Sequence, residues 1–258
     1  MTNRVSRFRL FYEISGIVGV FKHLASRLIP PSRFVRQATI LDFKRCGLKF
    51  ADDVWDLLSS IGVELTRDEI KSIQLEFDAF TGLQRIQIPD EPFPHNWNSG
   101  ESLRLLLFAF VRVRTPLSVV ETGTANGYST SAIAHALEIN GKGNVHTYDI
   151  LETSAPYVLP SSRSHVKMHH IAEHPNKLFT AMKSQNLDTL NGFYFHDADH
   201  SYFGQYNDFE IARKLGFKYY ISDDVETSLV FCEKALKNFS AILFDGRKFI
   251  GVTLIAAH

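Results

Sequence analysis

Short apolar runs alternate with helical stretches from Leu117 onward, and this alternation constrains the fold more than any other feature of the sequence. The apolar runs are LSVVETG (117–123), NVHTYDI (144–150), HVKMHHI (165–171), NGFYFHDAD (191–199) and FKYYISDD (217–224). The helical stretches include STSAIAHALEI (129–139) and FGQYNDFEIARKLG (203–216). Strands that alternate with helices pair in parallel, and the helices cover both faces of the sheet. The sequence therefore predicts an α/β fold with a doubly wound, Rossmann-like, mostly parallel sheet.

The last part of the chain has a different pattern. The stretch SAILFDGRKFIGVTLIA (240–256) contains two strand-like runs on either side of Asp245-Gly246. An Asp-Gly pair between two apolar runs is a strong signal for a β-hairpin. We therefore expect a seven-stranded sheet that ends in a C-terminal antiparallel hairpin.

The first 115 residues are predicted to form helices and loops. Thr66 and Glu69 have the spacing of a capping box, in which each side chain bonds the other residue's backbone. Asn98 followed by Glu101 suggests the start of another helix. We therefore divide the chain into an N-terminal helical extension or cap, residues 1–115, and a main domain, residues 116–258.

The N-terminus is basic. Residues 1–36 contain seven arginines and lysines but one acid, Glu13, and they surround the apolar stretch ISGIVGVF (14–21). Two interpretations are open. The segment is either an amphipathic helix that contacts a membrane surface or an anionic partner, or a helix that packs on the main domain or on the second subunit of a homodimer. We favour packing within the protein.

Bulk composition adds limits on partners and location. The chain has 28 basic and 28 acidic residues, so its net charge indicates no nucleic-acid partner. Cys46 and Cys232 are far apart in sequence and belong to no motif, which favours reduced thiols and a cytoplasmic location over a disulfide.

A glycine-containing turn follows the first predicted strand. In ETGTANG (121–127), Gly123 and Gly127 flank a tight turn into a helix, and the absence of a Cβ lets the backbone approach a ligand. Ala125 stands where a dinucleotide site has its middle glycine. In doubly wound sheets, ligands bind beyond the carboxyl ends of the strands. We therefore predict a ligand site at this turn, but not a typical dinucleotide site.

Acidic side chains follow two other predicted strands. Asp197 and Asp199 end one strand, and Asp223 and Asp224 end the next. Strands that neighbour each other in a parallel sheet bring these carboxylates together, and their mutual repulsion is relieved by a bound divalent cation. Hard oxygen ligands suit Mg²⁺, Ca²⁺ or Mn²⁺. The alternative is that the aspartates cap the helices that follow them.

The turn and the helix after it, VVETGTANGYSTSAIA (119–134), resemble the first motif of class I S-adenosylmethionine-dependent methyltransferases, in particular the O-methyltransferase branch. The resemblance implies that Glu121 meets the ammonium group of the donor and that Asp149 accepts hydrogen bonds from both ribose hydroxyls. By this resemblance the donor site consists of Glu121, Gly123, Thr124, Gly127, Tyr128, Ser129, Asp149 and Ile150.

The acidic motifs extend the resemblance. DADHSY (197–202), followed by a helix, a strand and the Asp223-Asp224 pair, resembles the metal-dependent O-methyltransferases, and most closely the macrocin-type enzymes that methylate sugars of natural products. The resemblance implies that Asp197, Asp223 and Asp224 bind a divalent cation, Mg²⁺ foremost.

The same resemblance implies a small hydroxylated acceptor, such as a sugar or a natural-product-like compound. It assigns the catalytic base to Asp199, and His200 is the alternative because an ordinary imidazole titrates near neutral pH. One departure is the stretch KLGFKYY (214–220), where such enzymes usually have a Pro-Gly-Gly turn.

Two other functions are compatible with this sequence. The first is a different enzyme on the same scaffold, either cephalosporin hydroxylase-like or dinucleotide-dependent. The second is a non-catalytic protein whose basic N-terminus docks on a membrane or a partner.

Overall fold

The computed structural model of the chain describes residues 36–86, 90–152, 155–171, 175–236 and 238–255. The basic segment at residues 1–35, with the predictions made for it, lies outside the described residues. No described helix is both long enough and apolar enough to cross a bilayer.

A mostly parallel sheet forms the centre of the protein. Its strands are β1 (Lys49–Phe50), β2 (Ser118–Thr122), β3 (Asn144–Asp149), β4 (Val166–His170), β5 (Phe193–His196), β6 (Tyr219–Ser222), β7 (Ser240–Phe244) and β8 (Phe249–Leu254). They are arranged in the order β1-β7-β8-β6-β5-β2-β3-β4. All neighbours pair in parallel except β8, which is antiparallel to both β6 and β7. The predicted doubly wound α/β fold with a C-terminal hairpin is confirmed.

The sheet has eight strands, whereas the sequence predicted seven. The additional strand, β1, comes from the region that was predicted to be helices and loops. It pairs in parallel with β7, with Lys49 opposite Ala241. Both of its residues are exposed, so no alternation of apolar and polar residues marks it in the sequence.

Eight α-helices are described. They are α1 (Ile40–Arg45), α2 (Val54–Ser59), α3 (Arg67–Ile86), α4 (Glu101–Arg114), α5 (Tyr128–Asn140), α6 (Pro175–Lys183), α7 (Tyr202–Leu215) and α8 (Val230–Lys234). The capping box at the start of α3 is confirmed, because the Thr66 N–H donates to Glu69 (2.8 Å) and the Glu69 N–H donates to the Thr66 hydroxyl (3.3 Å). The predicted Asn98 cap of α4 is wrong: Gly100 is the N-cap residue.

The helices divide between the two faces of the sheet. Alternate residues of a strand point to opposite faces, so Phe193 and Phe195 of β5 join one core while Tyr194 joins the other. Helices α2 to α5 contribute buried residues to the first core, and α1, α6, α7 and α8 to the second.

Helix α4 ties the N-terminal region to the sheet. The ring of Phe110 packs edge-on against Phe193 and Tyr219, with centroids 4.9 and 5.0 Å apart. Residues on both sides of position 115 therefore share one core, and the division of the chain at that position stays a prediction.

The two cysteines are thiols in this structure. Burial raises the pKa of Cys232, and the neighbouring Cys46 raises it further. The fold therefore brings together, across α1 and α8, two residues that are far apart in the sequence.

Candidate functional site

The glycine turn lies at the carboxyl end of β2 and packs against the loop after β5. Gly123 has a φ of +91°, and a Cβ at this position would lie 2.0 Å from the carbonyl oxygen of Asp197. The Asp197 N–H in turn donates to the carbonyl of Thr122 (2.9 Å). Glycine is therefore required here by its backbone conformation and by a close protein contact.

The second glycine of the turn is constrained in a similar way. Gly127 is the N-cap residue of α5, with a φ of +84°. A Cβ on it would lie 2.7 Å from the Cβ of Ala155. Both glycines are thus explained by contacts within the protein, although their positions are those that the sequence assigned to a ligand site.

Asp149 holds the glycine turn from the end of β3. Its Oδ2 accepts hydrogen bonds from the N–H groups of Thr124 (2.9 Å) and Ala125 (3.1 Å), and its Oδ1 accepts one from Leu151 (2.9 Å). A carboxylate can accept about four hydrogen bonds, so Asp149 shapes the turn and retains room for a ligand hydroxyl.

Glu121 is fully buried at the end of β2. Its Oε2 accepts a hydrogen bond from the Thr130 hydroxyl (2.6 Å), while Oε1 has no hydrogen-bond partner among the described residues. Burial raises the pKa of Glu121 to about 7, and the hydroxyls of Ser129, Thr130 and Thr147 partly oppose that rise. A buried acceptor atom without a donor fits the predicted contact with a donor ammonium group.

The remaining predicted donor-site residues lie around this turn. Thr124 is buried, and its hydroxyl lies 2.6 Å from that of Thr147. Ser129 is buried in the first turn of α5, whereas Ile150, after β3, is exposed. Tyr128 contacts the ring of Tyr157, with centroids 3.9 Å apart. The structure therefore gathers these residues at the ends of β2 and β3.

The acidic residues converge at the ends of β5 and β6. Asp197, His200 and Asp224 each place one ligand atom within 4.8 Å of the other two. The Nε2 atom of His200 lies 3.5 Å from carboxylate oxygens of both Asp197 and Asp224. Asp223, the other member of the pair, is completely buried. The predicted convergence of carboxylates from separate strands is therefore observed for Asp197, Asp223 and Asp224, but not for Asp199. We call Asp197, His200, Asp223 and Asp224 the acid cluster.

A residue that the sequence analysis missed completes the acid cluster. Lys248, immediately before β8, places its ammonium in contact with the carboxylate of Asp223 and 3.3 Å from Oδ2 of Asp224. Burial lowers the pKa of Lys248, but the charges of Asp223, Asp197 and Asp224 outweigh it and raise the pKa above its ordinary value. Lys248 is therefore a charged cation next to the buried Asp223.

One of the three predicted magnesium ligands, Asp223, has both of its carboxylate oxygens engaged within the protein. One oxygen of Asp223 accepts the Asp224 N–H (3.0 Å), and the other accepts the Lys248 ammonium. Only Asp197, His200 and Asp224 stay grouped as possible ligands among the described residues. The ammonium of Lys248 lies 3.3 Å from Oδ2 of Asp224, one of these three, and its charge repels a metal ion.

His200 and Asp199, the two candidates for the base, lie in different surroundings. Burial lowers the pKa of His200, but Asp197, Asp224 and Asp223 more than offset this and raise the pKa to about 9. Asp199 is exposed, and its carboxylate accepts hydrogen bonds from the N–H and the hydroxyl of Ser201, both 3.0 Å, at the start of α7. Only His200 belongs to the acid cluster.

A buried polar network lies behind the acid cluster. Asp208 of α7 bonds Nδ1 of His196 (2.7 Å) and accepts from the hydroxyl of Thr122 (2.6 Å). The rings of His196 and His200 meet edge to face at 5.4 Å, and neither Nε2 of His196 nor Nδ1 of His200 has a hydrogen-bond partner among the described residues. The network thus supports His200 from the side facing the core.

The loop before α4 connects the glycine turn with the acid cluster. The side chain of Asn126 donates to the carbonyl of Phe93 (3.1 Å) and to the side chain of Asn98 (2.8 Å). The hydroxyl of Ser99 lies 3.5 Å from a carboxylate oxygen of Asp197. A segment of the N-terminal region, to which the sequence assigned no role, therefore borders the site.

Comparison with known proteins identifies part of the chain. Residues 120–215 match the family described as a methyltransferase domain, so the domain expected from the sequence is confirmed for that segment, which is less than half of the chain. No curated protein matches this chain.

The chain is similar to solved structures of methyltransferases, among them the following three. The O-methyltransferase from Bacillus cereus in complex with SAH is 16% identical, with a TM-score of 0.43, and the alignment covers 79% of this chain and 97% of that one. The SAH-bound methyltransferase PaMTH1 from Podospora anserina is 15% identical, with a TM-score of 0.43 and coverage of 74% and 97%. The O-methyltransferase TomG from Streptomyces achromogenes, in complex with SAM, is 18% identical, with a TM-score of 0.45 and coverage of 79% and 96%.

Proposed function

We propose that this protein transfers the methyl group of S-adenosylmethionine to a hydroxyl oxygen of a small acceptor. The observation that carries the proposal is the direct contact between two sites. The glycine turn, within the segment that matches a methyltransferase domain, packs against the loop that presents Asp197. A donor held at the turn and an acceptor held at the acid cluster are therefore neighbours.

Three features support donor binding at the turn. The unpaired Oε1 of the buried Glu121 suits an ammonium group. Asp149 keeps the turn in shape through three backbone hydrogen bonds and retains capacity for a hydroxyl of the donor. Ile150 offers an exposed apolar side chain beside Asp149, which suits the face of an adenine ring.

Methyl transfer requires the protein to align the acceptor oxygen with the methyl group and to remove the proton of the acceptor hydroxyl. When bound, S-adenosylmethionine supplies a methyl group on an electron-poor sulfonium. The acceptor oxygen forms a bond to the methyl carbon while the carbon–sulfur bond breaks, and the electron pair of that bond stays on sulfur. Holding the oxygen and the methyl in line lowers the barrier by removing the entropy of their encounter.

The acceptor hydroxyl loses its proton during the transfer, so the site needs a general base. We assign it to His200, which lies in the acid cluster between Asp197 and Asp224. Because the pKa of His200 is raised to about 9, the neutral imidazole is a minor form at neutral pH and becomes more abundant as the pH rises. That neutral form accepts the proton, and the two carboxylates then stabilise the imidazolium. Asp199, the base implied by the sequence resemblance, is engaged with Ser201 at the start of α7.

The acceptor class is inferred from the residues near the acid cluster. The loop before α4, whose Ser99 hydroxyl lies 3.5 Å from Asp197, also carries the partly exposed Trp97, which stacks on Phe93 with centroids 6.0 Å apart. An acceptor with a flat apolar face and a hydroxyl, such as a sugar or a natural-product-like ring, suits this combination.

Calorimetric titration of EDTA-treated protein with S-adenosylmethionine, and separately with NAD, tests the donor. We expect micromolar affinity for the first and no binding of the second. Transfer of a radiolabelled methyl group to panels of sugars and phenols then tests the acceptor class. Binding of NAD without binding of S-adenosylmethionine would replace this proposal with a dinucleotide-dependent function.

A further inference from the structure

We propose that Lys248 is the resident cation of the acid cluster, so that methyl transfer at this site proceeds without a divalent metal ion. This inference builds on the proposed function, because it concerns how the same site handles the acceptor oxygen. It rests on the position, anchoring and contacts of Lys248.

The topology of the sheet places Lys248 next to the acid cluster. Strand β8 is antiparallel to β6, and Gly251 pairs with Ser222, the last residue of β6. Residues that precede Gly251 therefore extend past the end of β6, which is where Asp223 and Asp224 lie. The position of Lys248 is thus a consequence of strand register and not of a flexible surface side chain.

Its backbone is held on both sides. The N–H of Lys248 donates to Oδ1 of Asp245 (3.0 Å), and its carbonyl accepts the N–H of Asp245 (3.0 Å). The next residue, Phe249, donates its N–H to Glu226 (3.0 Å). Anchoring of the hairpin turn and of the strand start reduces the entropy that the lysine loses when its ammonium is fixed.

The side chain is mostly enclosed, with 12% of its surface exposed, and the carboxylate of Asp223 has none exposed. A buried carboxylate is strongly destabilised unless a cation or hydrogen bonds compensate it. Lys248 supplies that cation, and the Asp224 N–H supplies a further hydrogen bond. A divalent ion that took Asp223 as a ligand would have to displace the ammonium or sit beside it.

The ammonium can also act on the acceptor. It has three N–H donors, and two of them are directed to Asp223 and Asp224. The third N–H is available for a hydrogen bond to the acceptor oxygen, which donates an electron pair to the methyl carbon during the transfer. A hydrogen bond and a positive charge at that oxygen favour the deprotonated hydroxyl, as a metal ion would.

Binding of Mn²⁺ to the full-length protein tests the proposal without the need for an acceptor. The protein is first freed of metal with EDTA, and Mn²⁺ binding is then followed by electron paramagnetic resonance in the wild type, Lys248→Met, Lys248→Arg and Lys234→Met. Lys234 is the matched control, because it is also a partly buried lysine in an ion pair, with Glu210 at 2.8 Å.

We expect the wild type, Lys248→Arg and Lys234→Met to bind Mn²⁺ only weakly. Lys248→Met exposes the uncompensated carboxylates and is expected to bind Mn²⁺ at least about tenfold more tightly. Stoichiometric Mn²⁺ binding by the wild type would overturn the proposal, and that measurement decides even where Lys248→Met does not fold. Equal Mn²⁺ affinity of Lys248→Met and the wild type would overturn it as well.

The donor titration keeps the two proposals apart. If the metal-free wild type binds S-adenosylmethionine and excludes Mn²⁺, both stand. If it excludes Mn²⁺ but does not bind the donor, the proposed function fails while Lys248 remains the cation of the cluster.

Discussion

Gly123 lies so close to Asp197 that a Cβ on the glycine would be 2.0 Å from the aspartate's carbonyl oxygen. This contact joins the glycine turn to the acid cluster. The geometry of the turn and the position of Asp197 are therefore set together, and a change at one is expected to be felt at the other.

We expect Gly123→Ala to lower the free energy of unfolding by roughly 3 to 5 kcal/mol, because it combines a left-handed backbone conformation with overpacking. Gly62→Ala is the matched control, since Gly62 has a φ of +76° but a Cβ added there would meet no atom within 4 Å. It should lose about 1 to 2 kcal/mol. Urea denaturation measures both, and equal losses would show that the contact with Asp197 contributes nothing.

Asp149→Asn is expected to weaken S-adenosylmethionine binding by at least about tenfold, or about 1.4 kcal/mol. The reason is that the variant lacks the Asp149 carboxylate. The backbone N–H groups of the turn and any hydroxyl of the donor then lose their charged hydrogen-bond acceptor. Asp188→Asn serves as the control, because Asp188 also accepts backbone N–H groups, from Leu117 (3.1 Å) and Asn191 (3.0 Å), near the opposite end of β2. Calorimetry should show near wild-type donor affinity in Asp188→Asn. Comparable losses in both variants would point to a general effect on the sheet.

The buried Glu121 predicts a stability that depends on pH. Its pKa is raised from an ordinary 4.5 to about 7, so between these values the folded protein holds a proton that the unfolded chain releases. Stability from this group is present below about pH 4.5 and is lost as the pH rises to about 7, by on the order of 3 kcal/mol. Urea denaturation of the wild type and Glu121→Gln across this range isolates the effect. A difference between the two that does not change with pH would contradict it.

Substitution of each candidate base in turn shows which of the two removes the proton. His200→Gln should reduce kcat by roughly 100-fold or more, because proton removal loses its acceptor. Asp199→Asn should leave kcat near that of the wild type, since its carboxylate bonds Ser201 at the start of α7. Steady-state kinetics with an acceptor from the radiolabel panels measures both. A large loss in Asp199→Asn alone would return the role to Asp199.

The parts of the fold with strong local signals were predictable from the sequence. Strand β5 is a continuous apolar run, the Thr66–Glu69 pair is a local motif, and the turn at Asp245-Gly246 suits a hairpin. Strand β1 could not be predicted, because its two exposed residues pair only through their backbone with a distant strand.

The candidate site shows the same division. The convergence of Asp197 and Asp224 follows from adjacent parallel strands and was predicted. Lys248 was missed because its role depends on the register of β8 against β6, and no local sequence pattern predicts that register. A signal did exist: a strand that returns antiparallel beside β6 must start near the end of β6, so the residue before it becomes a candidate partner for the acid pair.

The pairing of β1 with β7 has a consequence for the order of folding. Lys49 leaves the ribosome long before Ala241, its partner in the sheet. The strands at the centre, β2, β3 and β5, can meet earlier, while the edge formed by β1 must wait until β7 has been made. Long-range pairings of this kind are slow to form, so we expect nascent chains that end before β7 to leave the segment around Lys49 open to proteases and chaperones.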